Sequence, residues 1–353
     1  MNEQIKSFGL LHEDPRETDH ILGAEAQQGT EVWTKIKTPD SSNLISWLND
    51  APENEEQRKN GVETNACVSF SADNIVEYLA EWKRKIDTAF QFWAEKNNLI
   101  KNGKFNISDR KTAKGSGTDP NSGNYVRAVD DYLRNFLFCP EDLWPFPAGM
   151  SSAEYYKTMP DNVANYHKVL GREYEIQTKF VPPSTENFYG MYSGPAELWE
   201  AIQYSPIWAS VDGYYEVGND GLVKGATLKA ASDSGQRNYN HRICIRAGQY
   251  GKYWEVHDNY LRQIVKFSWD YPFGGCKIMR IVDVKKNPQE DYIQVGPAIL
   301  YKARGGKYNG QYLGFADGDV LKSIHGDYNK VTPRATYDKL PNNFVGNLSI
   351  SLK

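Results

Sequence analysis

The chain has 353 residues, a formal charge of −4, 40% hydrophobic residues and 24% charged residues. This composition is typical of a globular protein with a real core, and the charge gives no sign of a basic surface for nucleic acid. No apolar run reaches the roughly 18–20 residues of a membrane helix, and the N-terminal residues lack the apolar region of a secretory signal. We therefore expect no nucleic-acid or membrane partner, and cytoplasmic synthesis without a signal peptide.

The first half of the chain shows mainly helical patterns. Residues 1–54 are polar and interrupted by proline, which predicts an irregular N-terminal segment. Apolar residues then recur every three or four positions, without Gly or Pro, and this predicts one long helix over residues 66–98. A stretch rich in Gly, Ser, Asn and Lys predicts an exposed loop over residues 101–124. Further helices are predicted over residues 125–136, 152–170 and 196–204.

From residue 207 the pattern changes to strands separated by Gly and Asn turns. Such runs predict an antiparallel sheet or barrel, and they cover residues 207–211, 242–247, 253–258 and 277–282. A helical half joined to a β-rich half indicates an α+β fold. Near the C-terminus, residues 298–303 and 311–316 flank Gly-Gly and Asn309-Gly310, which predicts a hairpin.

These patterns divide the chain into three parts. Residues 1–54 form the irregular segment, residues 55–287 the main domain, and residues 288–353 a small β-rich C-terminal domain.

The four cysteines are too few and too widely spaced for a disulfide scaffold. None forms a Cys-x-x-Cys pair. His241 and Cys244 have the spacing of metal ligands, but no second pair of ligands accompanies them, and Cys244 lies in a predicted strand. We expect no metal and no cofactor.

Cys67 stands where a polar, turn-forming stretch ends and the long helix begins. The unpaired N–H groups and the positive end of the helix dipole favour thiolate over thiol at such a position. This makes Cys67 a candidate nucleophile. The alternative is a small apolar residue packed beneath the loop, which is the commoner role of a free cysteine.

A cysteine nucleophile needs a base and a third group that orients the base. Among the six histidines, His241 is distinctive because it opens a strand, while the neighbouring predicted strand ends at Asp258. Two adjacent antiparallel strands could place these two side chains together. The alternative is a strand-end histidine and an exposed aspartate in a turn.

Six segments, in the same order along the chain, resemble the papain-like cysteine peptidases. Ala66-Cys67-Val68-Ser69-Phe70-Ser71 is similar to the family's Ser-Cys-Trp-Ala-Phe-Ser, and Asn240-His241 matches the Asn-His of its catalytic base. The similar segments are residues 59–71, 140–146, 197–209, 240–241, 254–260 and 273–281. The resemblance, which is to divergent bacterial and phage members, implies a helical N-terminal lobe with a long central helix and an antiparallel, barrel-like C-terminal lobe.

Carried over by position, the resemblance implies that Cys67 is the nucleophile, His241 the general base and acid, and Asp258 the residue that orients the imidazole, where the family usually has Asn. The family's oxyanion Gln, six residues before the cysteine, is Gly61 here. A missing oxyanion donor typically costs about 10²–10³ in turnover. Asn60 or Asn65 could replace it through a loop shift, and Tyr260 stands where the family has the Trp that shields the His–Asn pair.

Two functions of different classes follow. The first is a peptidase or amidase that hydrolyses peptide or protein substrates through a thioester on Cys67. The second is a papain-fold structural or binding protein, for example a phage virion component attached to other virion proteins through residues 288–353. An acyl transferase or deamidase with the same triad is a third option.

Overall fold

The computed structural model describes residues 10–11, 20–24, 31–52, 55–59, 62–171, 173–183, 192–213, 216–224, 239–260, 263–284, 292–295, 298–302 and 312–315. The chain divides into two compact units, Met1–Asp283 and Val284–Lys353. In the described part no helix is long and apolar enough to cross a membrane.

Helices dominate the middle of the first unit. Among the described residues the α-helices are α1 (Cys67–Ile86), α2 (Thr88–Lys96), α3 (Asp109–Gly115), α4 (Val126–Phe136), α5 (Ser152–Tyr155), α6 (Asp161–Ala164), α7 (Tyr166–Leu170) and α8 (Pro195–Ala201). Two short 3₁₀ helices cover Leu48–Asp50 and Glu141–Leu143.

Strands dominate the rest of the described chain. They are β1 (Leu10–Leu11), β2 (Leu44–Ser46), β3 (Arg58–Lys59), β4 (Val62–Glu63), β5 (Ile100–Lys101), β6 (Lys104–Phe105), β7 (Asn124–Tyr125), β8 (Tyr174–Phe180), β9 (Tyr192–Ser193), β10 (Ile207–Val211), β11 (Leu222–Val223), β12 (His241–Gln249), β13 (Tyr253–Asp258), β14 (Gln263–Ser268), β15 (Phe273–Asp283), β16 (Tyr292–Val295), β17 (Ala298–Lys302) and β18 (Tyr312–Phe315).

The long helix α1 begins at Cys67, as the apolar spacing predicts, but it ends at Ile86 instead of continuing to residue 98. Asp87 adopts an extended backbone and accepts a hydrogen bond from the N–H of Phe90, so it is the N-cap of α2. The prediction of one helix over 66–98 was therefore wrong. Asp87 ends α1 by capping α2, and the sequence has no Gly or Pro at this point that would indicate the end of a helix.

The stretch predicted as an exposed loop over residues 101–124 is partly ordered and buried. It contains part of the β5–β6 hairpin and helix α3, which Ser108 caps by accepting a hydrogen bond from the N–H of Lys111. Arg110 and Lys111 are both buried, because their charged ends reach backbone oxygens. The prediction of an exposed loop was wrong because polar residues of this stretch are buried and hydrogen-bond to backbone carbonyls in the interior.

Two other helix predictions need correction in their extent. The pattern over residues 152–170 forms three short helices. Pro160 precedes the second helix, and Asn165 separates the second from the third. The predicted helix at 196–204 is α8, which starts at Pro195 in the first turn and ends at Ala201. Helix α4 lies within the predicted range 125–136.

A nine-stranded sheet forms the β-rich part of the first unit. Its main path runs β11-β14-β13-β12-β10-β15-β8, with β2 added on β12 and β9 on β15. The pairs are antiparallel except β11–β14, and among the described strands the path does not close into a barrel. The four predicted strand runs are present as β10, β12, β13 and β15.

Helix α1 packs against this sheet through β12, β15 and β10, and against α2, α3 and α4 on its other sides. Fifteen of its 20 residues are buried, including the small or apolar Val68, Ala72 and Ile75. A buried hydrogen bond also joins helix to sheet, since Trp208 Nε1 of β10 donates to Ser71 Oγ at 2.7 Å. This bond and the buried packing therefore fix the position of the first turns of α1 relative to the sheet.

The described part of the N-terminal segment is irregular apart from short pairings. Leu10 and Leu11 pair in parallel with β7, and the N–H of Leu22 donates to the carbonyl of Phe180 at the end of β8. Trp33 is only 5% exposed. These residues belong to the packed first unit even though their sequence pattern predicts no long element.

In the second unit the structure describes one three-stranded antiparallel sheet, in the order β16-β17-β18. The pairing of β17 with β18 confirms the hairpin predicted from residues 298–303 and 311–316.

Candidate functional site

Cys67 is the first residue of α1, and its side chain is 1% exposed. The preceding residue, Ala66, provides no side-chain acceptor for the first-turn N–H groups. Asn65 turns the chain into the helix with a φ of 50°, a left-handed conformation that asparagine tolerates better than most residues. The thiol therefore lies at an uncapped, electropositive helix start.

His241 and Asp258 meet at neighbouring ends of the sheet. His241 opens β12, Asp258 closes β13, and these two strands are antiparallel neighbours. The imidazole Nε2 lies 2.8 Å from Asp258 Oδ1, and both side chains are 1% exposed. The alternative of an exposed turn aspartate does not fit this geometry.

Cys67 is a further neighbour of this imidazole, and its thiol is among the groups that raise the pKa of His241. Burial lowers the pKa of His241, but the Asp258 carboxylate and Cys67 outweigh it and raise the pKa to about 10. The histidine is thus an imidazolium at neutral pH, and it lies between a carboxylate and a thiol.

Tyr260 covers one side of the imidazole. The two rings meet edge to face with centroids 5.9 Å apart. The N–H of Tyr260 donates to Asp258 Oδ1 at 2.8 Å, and its hydroxyl accepts a hydrogen bond from Arg58 Nη1 at 3.2 Å. Tyr260 therefore contacts both the histidine and the turn that carries its acid.

Of the residues predicted to support the oxyanion, Asn60 and Gly61 lie outside the described residues. Asn65 is described, and its side-chain Nδ2 donates to the carbonyl of Pro120 at 2.6 Å. That bond directs the amide of Asn65 toward the loop before β7.

A buried glutamine that the sequence interpretation did not select lies beside the site. Gln57 is fully buried, and its backbone N–H donates to the carbonyl of Asn259, the residue after Asp258. Its Nε2 donates to Glu63 Oε1 at 3.1 Å, and the same oxygen accepts the N–H of Asn65 at 2.8 Å. Gln57 lies ten residues before Cys67, and the β3–β4 pairing folds the intervening chain back on itself. A signal was available in the sequence, namely a glutamine upstream of the cysteine at a longer spacing.

A group of acids, all buried except the half-buried Glu55, lies on the side of α1 that faces α3. We call Glu55, Asp73, Glu77, Asp109 and Glu141 the carboxyl cluster. Asp73 and Asp109 contact each other, and Asp109 contacts Glu55. Burial raises the pKa of Asp73, Glu77 and Asp109 well above the usual range, and raises the pKa of Glu141 to about 8.

Hydrogen-bond donors reach the cluster from the surrounding chain. Thr112 Oγ1 donates to Asp73 Oδ1 at 3.0 Å, and the N–H of Ile107 donates to Glu77 Oε1 at 2.9 Å. Asn106 Nδ2 donates to Glu55 Oε1 at 3.1 Å. The cluster is thus held by neutral donors. In the described ranges no group of three His, Cys, Asp or Glu residues is arranged to hold a metal ion.

The four cysteines are all free and buried. Burial raises the pKa of Cys139 to about 12 and of Cys276 to about 11, and it raises the pKa of Cys244 further. These three thiols stay protonated at neutral pH. Cys67 differs from them because it is the one in contact with His241.

No protein-family model and no curated protein matches the chain. Several solved structures are similar to it. The bromelain protease of Ananas comosus, in complex with the E64 inhibitor, is 14% identical with a TM-score of 0.40, over 67% of this chain and 98% of that chain. The cysteine protease and lectin-like domains of Cwp84, a surface-layer-associated protein of Clostridium difficile, are 13% identical with a TM-score of 0.47, over 76% and 59%.

A third similar structure is the proform of the Amb a 11 cysteine protease, a major ragweed pollen allergen. It is 11% identical with a TM-score of 0.41, over 74% of each chain. These identities and scores are low, so the interpretation of the site rests on its own geometry.

Proposed function

We propose that the chain is a papain-like cysteine peptidase or amidase with Cys67, His241 and Asp258 as its catalytic triad. One observation carries the proposal. A single buried imidazole lies 2.8 Å from a carboxylate through Nε2, and it interacts with the thiol of Cys67 at a helix N-terminus. That arrangement is what an activated cysteine nucleophile requires.

In the first half of the reaction the Cys67 thiolate attacks the carbonyl carbon of the scissile amide, and the carbonyl π pair moves onto oxygen. When the tetrahedral intermediate collapses, the His241 imidazolium gives a proton to the leaving nitrogen. The C–N bond breaks and a thioester on Cys67 remains. Asp258 holds the imidazole in the orientation that both proton transfers need.

In the second half a water molecule attacks the thioester carbon. The neutral His241 takes a proton from that water, and the C–S bond breaks to release the carboxylic acid. The imidazole keeps the proton that it took from water, so the imidazolium and the Cys67 sulfur anion are restored together. The raised pKa of His241 favours the imidazolium form at the start and the end of the cycle.

The oxyanion needs hydrogen-bond donors at the place where its charge develops. The backbone N–H of Cys67, at the uncapped start of α1, is one donor. We assign Gln57 as the side-chain donor. It is hydrogen-bonded to the residue after Asp258 and, through Glu63, to the residue two positions before Cys67.

Replacing Gln57 with alanine should lower kcat for peptide hydrolysis by about 10²–10³, because one oxyanion donor is lost. Steady-state kinetics on a fluorogenic peptide would measure the loss. Gln91→Ala is the matched control, because Gln91 is a half-buried glutamine on α2 whose side chain donates to Glu95, and it should leave kcat unchanged. An unchanged kcat in Gln57→Ala would remove Gln57 from the oxyanion site.

The triad itself is tested by alkylation. Cys67 should react with iodoacetamide at about pH 6 at least about tenfold faster than glutathione, if the neighbouring imidazolium of His241 and the start of α1 activate it as a nucleophile. In His241→Ala the rate at that pH should fall to the level of glutathione. A wild-type rate no higher than that of glutathione would overturn the peptidase proposal.

The alternative roles remain predictions. A structural papain-fold protein, attached through residues 288–353 to other virion proteins, should co-purify with a particle in stoichiometric amount. An acyl transferase would require an acceptor that competes with water for the thioester. The contact between Cys67 and His241 favours a working nucleophile over a purely structural role.

A further inference from the structure

We propose that Asn259 is a positioning residue that ties the acid of the site to the helix that carries the nucleophile. This inference rests on the proposed function. It concerns a side chain that touches neither the thiol nor the imidazole and acts through Asp258.

Asn259 uses both ends of its amide, and it is 3% exposed. Its Oδ1 accepts a hydrogen bond of 2.6 Å from Nδ2 of Asn74 on α1. Its Nδ2 donates to the carbonyl of Glu55 at 2.9 Å. Its own carbonyl accepts the N–H of Gln57 at 3.2 Å. One residue thus joins the central helix, the chain entering the site and the end of β13.

These hydrogen bonds hold the backbone directly after Asp258, where the strand has ended. Strand β13 ends at Asp258, so the sheet ladder no longer fixes the backbone beyond that point. Asp258 Oδ1 accepts from both His241 and the N–H of Tyr260, so the turn at 259–260 sets where this oxygen lies. Asn74 lies two turns along α1 from Cys67, on the same side of the helix. The bond from Asn74 to Asn259 therefore links the position of the acid to the position of the thiol.

The chemistry at this position requires an amide. An asparagine accepts from Asn74 and donates to the Glu55 carbonyl at the same time. An ionised aspartate could not donate to that carbonyl, and it would place a negative charge next to Asp258. Alanine would leave the Asn74 amide and the Glu55 carbonyl without this partner, and the turn would lose its anchor.

The test measures peptide hydrolysis and the pH profile of Cys67 alkylation in the full chain. Asn259→Ala should lower kcat by about 10–100-fold with KM changed by less than about twofold, because a misplaced acid affects chemistry more than substrate binding. The alkylation advantage over glutathione at about pH 6 should shrink in the same variant. Asn74→Ala should produce the same pattern from the helix side, and it provides the test if Asn259→Ala does not fold.

The double variant should lose no more than the worse single variant, since both changes break one link. Tyr78→Phe is the matched control, because it removes another hydrogen bond between α1 and the sheet, to Arg246, without contacting Asp258. It should leave kcat and the alkylation profile unchanged.

The two proposals fail differently. If wild-type Cys67 reacts no faster than glutathione, the catalytic proposal fails. If the wild type is active and both Asn259→Ala and Asn74→Ala keep its kcat and alkylation profile, the positioning role of Asn259 is refuted while the triad stands.

Discussion

Replacing Cys67 with alanine should lower peptide hydrolysis by about 10⁴–10⁶-fold, because no other thiol contacts His241 among the described residues. Alanine fits the buried space at the start of α1, so the far-UV circular dichroism and the unfolding midpoint should change little. The remaining rate, measured on the same fluorogenic peptide, should no longer respond to iodoacetamide.

The matched control for this loss is Cys139→Ala. Cys139 is equally buried and free, but it packs against Trp144 and Val163, away from His241. Its removal should leave kcat within about twofold. Hydrolysis that survives in Cys67→Ala at a level above about 1% of wild type would show that the nucleophile lies elsewhere.

The free energy of unfolding should fall as the pH rises from about 5 to about 8, because of the carboxyl cluster. In the unfolded chain its acids ionise near their usual pKa values. In the folded chain they stay protonated to higher pH, since burial raises the pKa of Asp73, Glu77 and Asp109, and raises that of Glu141 to about 8. The folded state thus binds more protons across this range, and a rising pH favours unfolding.

Two histidines shift stability with pH as well. The pKa of His241 is raised to about 10, so its stabilisation is complete below about pH 6.5 and is lost as the pH rises toward 10, in the same direction as the cluster. Burial lowers the pKa of His257 to about 4, so this residue destabilises the fold as the pH falls below about 6.5. Only His257 makes the free energy of unfolding rise with pH, whereas four acids of the carboxyl cluster make it fall. The acids should therefore set the sign of the slope.

Urea unfolding at about pH 5, 6, 7 and 8 would measure this slope. Asp73→Asn keeps an acceptor for Thr112 and removes one ionisable group, so it should reduce the slope by up to about 1.4 kcal/mol per pH unit. Asp142→Asn is the control, because that carboxylate is exposed and paired with Lys101. A flat wild-type profile, or an equal slope in Asp73→Asn, would show that the cluster does not hold protons in the folded state.

The sequence predicted those elements that are rich in apolar residues. Helices α1 and α4 show apolar residues at helical spacing, and the strands β10, β12, β13 and β15 are apolar runs between turn signals. Prediction failed where polar residues enter the interior. Asp87 ended a helix by capping the next one, and the buried Lys111 belonged to a stretch whose composition indicated an exposed loop.

The site shows the same limit. Cys67, His241 and Asp258 could be selected because each stands at the end of a predictable element, and the order of motifs linked them. Asn259 could not, because its importance lies in a hydrogen bond to a residue distant in the chain. Gln57 was missed because it lies ten residues before Cys67, farther upstream than the family's glutamine. Strand β8 was also missed, although the polar residues Glu175, Gln177 and Lys179 alternate there with more apolar ones, which is the pattern of a half-buried strand.

Because the four thiols have different surroundings, the mass of the intact protein after labelling with a thiol reagent can report how many molecules have a competent site. All four thiols are buried, but Cys139, Cys244 and Cys276 keep their protons at neutral pH, whereas Cys67 has a cationic neighbour. A brief treatment of the native protein with a thiol reagent at about pH 6, where ordinary thiols react slowly, should therefore add one label per competent molecule. The labelled fraction gives the active concentration directly, so rates from different preparations and variants can be placed on one scale.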